Sequence, residues 1–236
     1  MSYSANLKGK TSSLPCARTF RLAGLVIESE FPLAGLIPSA GPDAPAADVV
    51  IRRGRVPETL AAPRPGGNDL QFDGNDVLLN IPSAGRFLVR GGREIVIDQF
   101  ASAGDDDVRA FLLGKVFGVL CHRRDITPFH ACVVDLGGEC AAFAGPSRAG
   151  KSTLAAALAK RGYQVIADDA CFTRADADGA IMVWPGIRRI RLWQEAVEAL
   201  GFEGAGIERE IRGYNKYLIP VAPPADPYGQ IGRAHV

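Results

Sequence analysis

The sequence predicts an α/β protein in two parts, a β-rich N-terminal region over residues 1–103 and a core of strand, loop and helix over 104–229. Three observations carry this. A glycine-containing loop at 145–153 stands between an apolar strand-like run and an Ala/Leu-rich helical run. Short apolar segments recur through the first hundred residues between Gly- and Pro-rich turns. Between the two parts, 105–123 carries Val108, Phe111, Leu112, Val116, Phe117 and Leu120 near helical spacing, as an amphipathic helix packing one part on the other would.

In the N-terminal part, 21–27, 48–51, 77–81, 85–89 and 94–97 read as strands, with 61–68 a Gly/Pro turn and 40–47 a Pro/Ala loop. These segments name no chemistry. A substrate-recognition role and a purely structural one both fit.

In the core, 129–136 alternates as a strand, Gly137-Gly138 is a two-residue hairpin signal, and 139–144 returns as the partner. If Leu136 faces Glu139, counting back along both strands sets His130 opposite Gly145, at the mouth of the loop. A lone histidine is more often structural, and that reading stands beside a site role. The loop, Gly145-Pro146-Ser147-Arg148-Ala149-Gly150-Lys151-Ser152-Thr153, fits G-x-x-x-x-G-K-[ST] at every fixed position. That spacing turns backbone N–H groups inward around phosphate oxygens, lets the lysine reach the β- and γ-phosphates and offers the serine hydroxyl to Mg²⁺. A helix over 152–161 follows and adds its positive N-terminal end. After Gly162, the strand 163–167 ends in Asp168-Asp169, beside the loop if both strands end on the same side of the sheet. Successive residues face opposite ways, so one acid would hold Mg²⁺ and the other accept a proton from an attacking hydroxyl.

The ordered set His130-Ala-Cys-Val-Val-Asp135, glycine hairpin, 145–153 loop and Leu158-Ala-Lys-Arg-Gly-Tyr-Gln-Val-Ile-Ala-Asp-Asp169 resembles the catalytic domain of bacterial HPr kinase/phosphorylase over about residues 128–172. The resemblance implies a P-loop kinase core of the HPr kinase/PEP carboxykinase type, with ATP and Mg²⁺ as cofactors. It implies that the loop binds ATP, that Ser152 and Asp169 hold the metal, and that the Asp168/Asp169 pair supplies the base with His130 assisting. Asp168 is the favoured base, with the division of roles open. The implied reaction is γ-phosphoryl transfer to a serine of a protein or peptide by a cytoplasmic enzyme; members of that family assemble into homo-oligomers, but no segment of this chain shows an interface. A small-molecule kinase on the same core and a non-catalytic ATP-binding regulatory module are the alternatives.

The chain departs from that family after the core. In place of an Arg-Gly-hydrophobic-Gly segment it reads Pro185-Gly-Ile-Arg-Arg-Ile-Arg-Leu-Trp193, then a helix over 194–200. It is therefore more similar to divergent relatives, some of which accompany ribosomal-peptide maturation enzymes and phosphorylate a peptide serine. Arg189 and Arg191 would share a strand face, with Arg188 on the other, and solvent-facing charge outweighs a ligand role for each. Lys216 is a phosphate contact by loose resemblance, weighed below a solvated lysine.

A formal charge of +1 and the lack of a basic, aromatic-interleaved stripe argue against nucleic acid, and no run has membrane-spanning length. The five cysteines, Cys16, Cys121, Cys132, Cys140 and Cys171, show no Cys-x-x-Cys pair and suit a reduced compartment, the last three as small core residues. Residues 230–236 read as the in-frame translation of a short-read sequencing adapter. They are expected to be foreign, the native chain continuing beyond about Gly229, and His235 carries no functional weight.

Overall fold

A computed structural model describes residues 18–36, 38, 46–67, 69–137, 139–187, 189–202, 208–209, 215–220 and 234–235. Cys16, Asn68, Gly138, Arg188, the start 1–13, most of the 40–47 loop and most of 230–236 lie outside the described residues. The chain is mixed α/β, rich in sheet and sparing in helix.

The N-terminal half is one eight-stranded sheet. Its strands are β1 (Arg18–Leu22), β2 (Leu25–Ser29), β3 (Val49–Arg53), β4 (Arg64–Pro65), β5 (Leu70–Asp73), β6 (Asp76–Ile81), β7 (Gly85–Arg90) and β8 (Glu94–Gln99), in the order β1-β2-β3-β8-β7-β6-β5-β4. The expected strands at 77–81, 85–89 and 94–97 fall inside β6, β7 and β8, which bury both faces, Leu79, Phe87 and Ile95 in the main core and Leu78, Leu88 and Val96 in a smaller cluster with Val56 and Leu60. The single strand expected over 21–27 is instead a hairpin. Ala23 and Gly24 both take positive φ, 56° and 76°, so Leu22 pairs directly with Leu25 across a two-residue turn. The 61–68 turn likewise contains β4, paired with β5.

The helix crossing between the halves forms as α1 (Asp105–Phe111), a π-helical turn (Leu112–Val116) and α2 (Phe117–His122). Val108, Leu112, Leu113, Val116, Phe117, Leu120 and Cys121 are all buried in the same core as Ile27, Val49, Phe87 and Ile95 of the sheet. The helix thus shares the N-terminal core, although the sequence division at 103 separates them. Phe117 also meets Phe172 of the second half edge to face at 5.5 Å. The β1–β2 turn adds a second tie: a Cβ on Gly24 would lie 2.5 Å from the Trp184 ring, and Ala23 N donates to Pro185 O.

The C-terminal half comprises β9 (Thr127–Phe129), β10 (Ala131–Asp135), β11 (Cys140–Ala144), α3 (Lys151–Lys160), β12 (Gln164–Ala167), β13 (Cys171–Ala175), β14 (Ile181–Trp184), β15 (Arg189–Trp193), α4 (Gln194–Ala199), β16 (Glu208–Arg209), β17 (Lys216–Pro220) and β18 (Ala234–His235). They form three small sheets, β12-β10-β11-β18, β14-β13-β9 and β15-β17-β16. The hairpin register is the one expected: Leu136 N donates to Glu139 O, and Ala131 pairs with Ala144. The strand expected over 129–136 is broken at His130, because β9 pairs with β13 while β10 pairs with β11 and β12.

α3 is packed on both sides. Its small buried residues Ala155 and Ala156 let it lie close against Cys132 and Val165 of one sheet and Ile190, Leu192 and Ile219 of another. This holds the middle of α3 between β10–β12 and β15–β17. Among the described residues, no helix is long and apolar enough to cross a membrane.

Candidate functional site

The chain crosses between the β10 sheet and the β9 sheet twice, once at His130 and once at the residues 168–170 between β12 and β13. Both crossings occur at one level, since Phe129 pairs with Cys171 on one side and Val133 with Ala167 on the other. A sheet that splits this way frees backbone groups and turns side chains out of the ladder. His130 Nδ1 lies 2.7 Å from the carbonyl oxygen of Asp169 and 3.3 Å from its Oδ1. A carbonyl only accepts, so Nδ1 carries the hydrogen and Nε2 is the nitrogen left for a ligand.

β10 is antiparallel to both β11 and β12, so these two run in the same direction and end on the same side. The 145–153 loop leaves β11 there. Gly150, at φ 89°, is the N-terminal cap residue of α3, and a Cβ added to it would meet nothing within 4 Å. The first-turn N–H groups of α3 have no intrahelical partner, and no side chain caps them. Lys151 Nζ bridges the loop, donating to the carbonyls of Gly145 at 2.8 Å and Pro146 at 3.0 Å.

The two acids at the end of β12 differ sharply. Asp168 is buried, accepting from Ser152 Oγ at 2.8 Å with one oxygen and from the Arg191 amide at 2.8 Å with the other. Burial raises its carboxyl above the usual range; the bonds from the Arg191 amide and the Ser152 hydroxyl pull it back, and the neighbouring Asp169 charge adds to the rise. Asp169 sits at φ 72°, an uncommon conformation for a residue with a side chain, and faces outward to His130 and to an ion pair with the Arg191 guanidinium. Asp168, rather than Asp169, is therefore the acid in contact with Ser152.

These groups surround one cavity of about 490 Å³. His130, Ser147, Arg148, Gly150, Lys151, Ser152, Thr153 and Asp169 line it, Gly145, Pro146 and Ala149 shape the loop behind, and Asp168 lies beneath. The opposite wall is Arg191, Leu192, Trp193, Glu195, Ala196 and Lys216. Arg191 is not the solvent-facing charge expected, because docking of β15 on α3 brings it against Asp169. Arg189 points elsewhere, its guanidinium beside Gly35 of the N-terminal half. Lys216 does reach the cavity. Sequence reasoning missed Trp193, although extending the alternation of Arg189 and Arg191 by one step would have found it.

Among the described residues no cluster of three or more His, Cys, Asp or Glu side chains is set to hold a metal. The Ser152–Asp168 pair still fits Mg²⁺, which binds through one or two protein oxygens, water and substrate phosphates. Cys132 beneath the loop is no nucleophile, since burial foremost, and the charge of Asp168, push its thiol up to about 12. No protein-family model and no curated protein matches the chain.

Proposed function

We propose that this cavity binds ATP with Mg²⁺ and transfers the γ-phosphoryl group to a hydroxyl, most simply the serine of a protein or peptide, on a P-loop kinase core of the HPr kinase/PEP carboxykinase type. The observation that carries the reading is the division of labour between adjacent acids: Asp168 buried on the Ser152 hydroxyl under the loop, Asp169 presented to the cavity with His130. Phosphoryl transfer needs these two functions and little covalent chemistry from the protein.

Lys151 would exchange its carbonyl contacts for β- and γ-phosphate oxygens, and the bare N–H groups of α3 would cradle the chain of phosphates. Ser152 and Asp168 would hold Mg²⁺, which when bound neutralises charge building on the phosphate oxygens. Asp169 would take the acceptor hydroxyl proton as the new O–P bond forms and the bond to the ADP oxygen breaks. His130 Nδ1–H, on the Asp169 carbonyl and 3.3 Å from its carboxylate, would hold that residue in place. This reverses the roles favoured from sequence, where Asp168 was the base and Asp169 the metal ligand.

Equilibrium binding of Mg²⁺-ATP and transfer of labelled γ-phosphate test the reading together. Lys151→Ala should abolish binding. Asp169→Asn should keep binding and lower transfer about 10²–10⁴-fold, the usual worth of a general base. Full activity in both variants refutes the assignment, and tight binding with no turnover in the unaltered chain would favour a regulatory ATP-binding module.

A further inference from the structure

The far corner of the cavity holds an arrangement to which the phosphate, metal and base roles proposed above assign nothing. Trp193 carries two cations over its ring, the Arg148 guanidinium at 5.2 Å and the Lys216 ammonium at 4.9 Å. Lys216 is held there by register, since it pairs directly with Trp193 across β15 and β17. Arg148 is held by the loop, at φ 68°, a conformation glycine takes without steric cost and arginine does not. The chain thus places a long cationic side chain where a loop of this shape would favour none.

Lys151 and the α3 amides answer the phosphates, and Arg191 is paired with Asp169. Among the described residues that line this end of the cavity, Arg148 and Lys216 stand with one acid, Glu195, so the described corner is net cationic. Its distance from the reaction centre follows from the strand. Arg191 and Trp193 are two residues apart on one face of β15, about 7 Å. An extended peptide covers that span in about two residues.

Resting on the kinase reading above, we propose that Arg148, Trp193 and Lys216 form an acceptor subsite for an acidic peptide segment, taking a carboxylate about two residues from the serine that is phosphorylated. The two cations would accept the carboxylate through charge-assisted hydrogen bonds, with the indole as a rigid apolar floor beneath the peptide.

The chain has two tryptophans, so Trp184→Phe leaves Trp193 as the only indole reporter. In that background, serine peptides flanked by Glu, by Gln or by Lys are titrated at fixed salt while Trp193 emission is followed. The Glu peptide should bind about tenfold or more tightly than the Gln peptide, an advantage that shrinks at high salt and falls toward unity in Lys216→Ala and in Arg148→Gly. Equal binding of Glu and Gln peptides, no peptide binding at all, or an undiminished Glu preference in both variants overturns the subsite. So does weakened Mg²⁺-ATP binding in both variants with the peptide preference intact, because the corner would then serve the nucleotide. Failure of the kinase reading itself shows separately, as Mg²⁺-ATP binding that survives Lys151→Ala.

Discussion

The two halves of the molecule handle polar groups in opposite ways. In the N-terminal sheet the one buried polar residue described, Ser29, is satisfied locally by the backbone of Phe31, and ion pairs such as Arg52–Glu94 and Arg86–Glu58 each keep one partner well exposed to solvent. In the C-terminal half Asp168 is buried, and Asp169 and Arg148 both take left-handed backbone conformations at the cavity. The difference follows from continuity. Eight strands in one ladder satisfy their backbone groups with one another and leave only faces, whereas the C-terminal half is three small sheets with no strand in common, and the chain passes between two of them at His130 and at 168–170, where polar groups turn toward a common space. The candidate site lies where pairing stops.

The strongest way to break this contrast is to damage the ladder and ask whether the site notices. Phe87 is fully buried in the N-terminal core, and Phe87→Ala should cost about 3–5 kcal/mol. The Phe117–Phe172 contact and the Gly24–Trp184 approach tie the halves, so urea unfolding should remain one transition, with Mg²⁺-ATP protection lost along with it. Two separated transitions, with the cavity surviving the first, would show that the halves fold as independent units.

That expectation rests on contacts the sequence did not disclose, while other features were legible for definite reasons. The β10–β11 register could be read because a two-residue loop leaves no slack, and α3 and β12 because Ala/Leu composition and the Gly162 stop are local signals. The break at His130 was not legible. It depends on Phe129 choosing Cys171 and Ala131 choosing Ala144, pairings between residues distant in the chain. The Ala23-Gly24 turn was hidden by the apolar residues on both sides of it. Alternation along β15 puts Arg191 and Trp193 on one face, but that this face turns to the cavity depends on how the β15–β17 sheet docks on α3, which no periodicity reports.

Alkali should act chiefly on the second half. Burial pushes the thiols of Cys121, Cys132 and Cys140 up to about 12 and that of Cys171 to about 11, from an ordinary 9.0. The folded chain keeps protons that the unfolded chain releases, so this contribution is fully present below pH 9 and is lost as pH rises toward 11–12. Each thiol contributes at most about 1.4 kcal/mol per pH unit in that window. Three of the four belong to the C-terminal half. The slope of urea stability between pH 9 and 10.5 should be shallower in Cys140→Ala than in the unaltered chain; parallel slopes would mean that this thiol ionises freely in the fold.

The smallest effect is expected at Glu58, and it sharpens the contrast because it breaks an arginine–carboxylate pair in the first half. The Glu58 side chain is 83% exposed, and Arg86, its partner, also lies near Asp98 and over the Phe100 ring. Solvent screens the pair, and the guanidinium keeps its other contacts when the charge is lost. Glu58→Gln should therefore shift stability by no more than about 0.5 kcal/mol and leave Mg²⁺-ATP binding unaltered. Arg191→Gln is the matched change in the second half. It strips the ion pair from Asp169 at the sheet break and leaves the backbone bond from residue 191 to Asp168 in place. Removing it should alter phosphoryl transfer well beyond any change in stability. If both substitutions were equally silent in binding and transfer, the ion pair at the break would be ordinary surface charge, and the distinction between a ladder that only folds and a break that acts would fail at its most specific point.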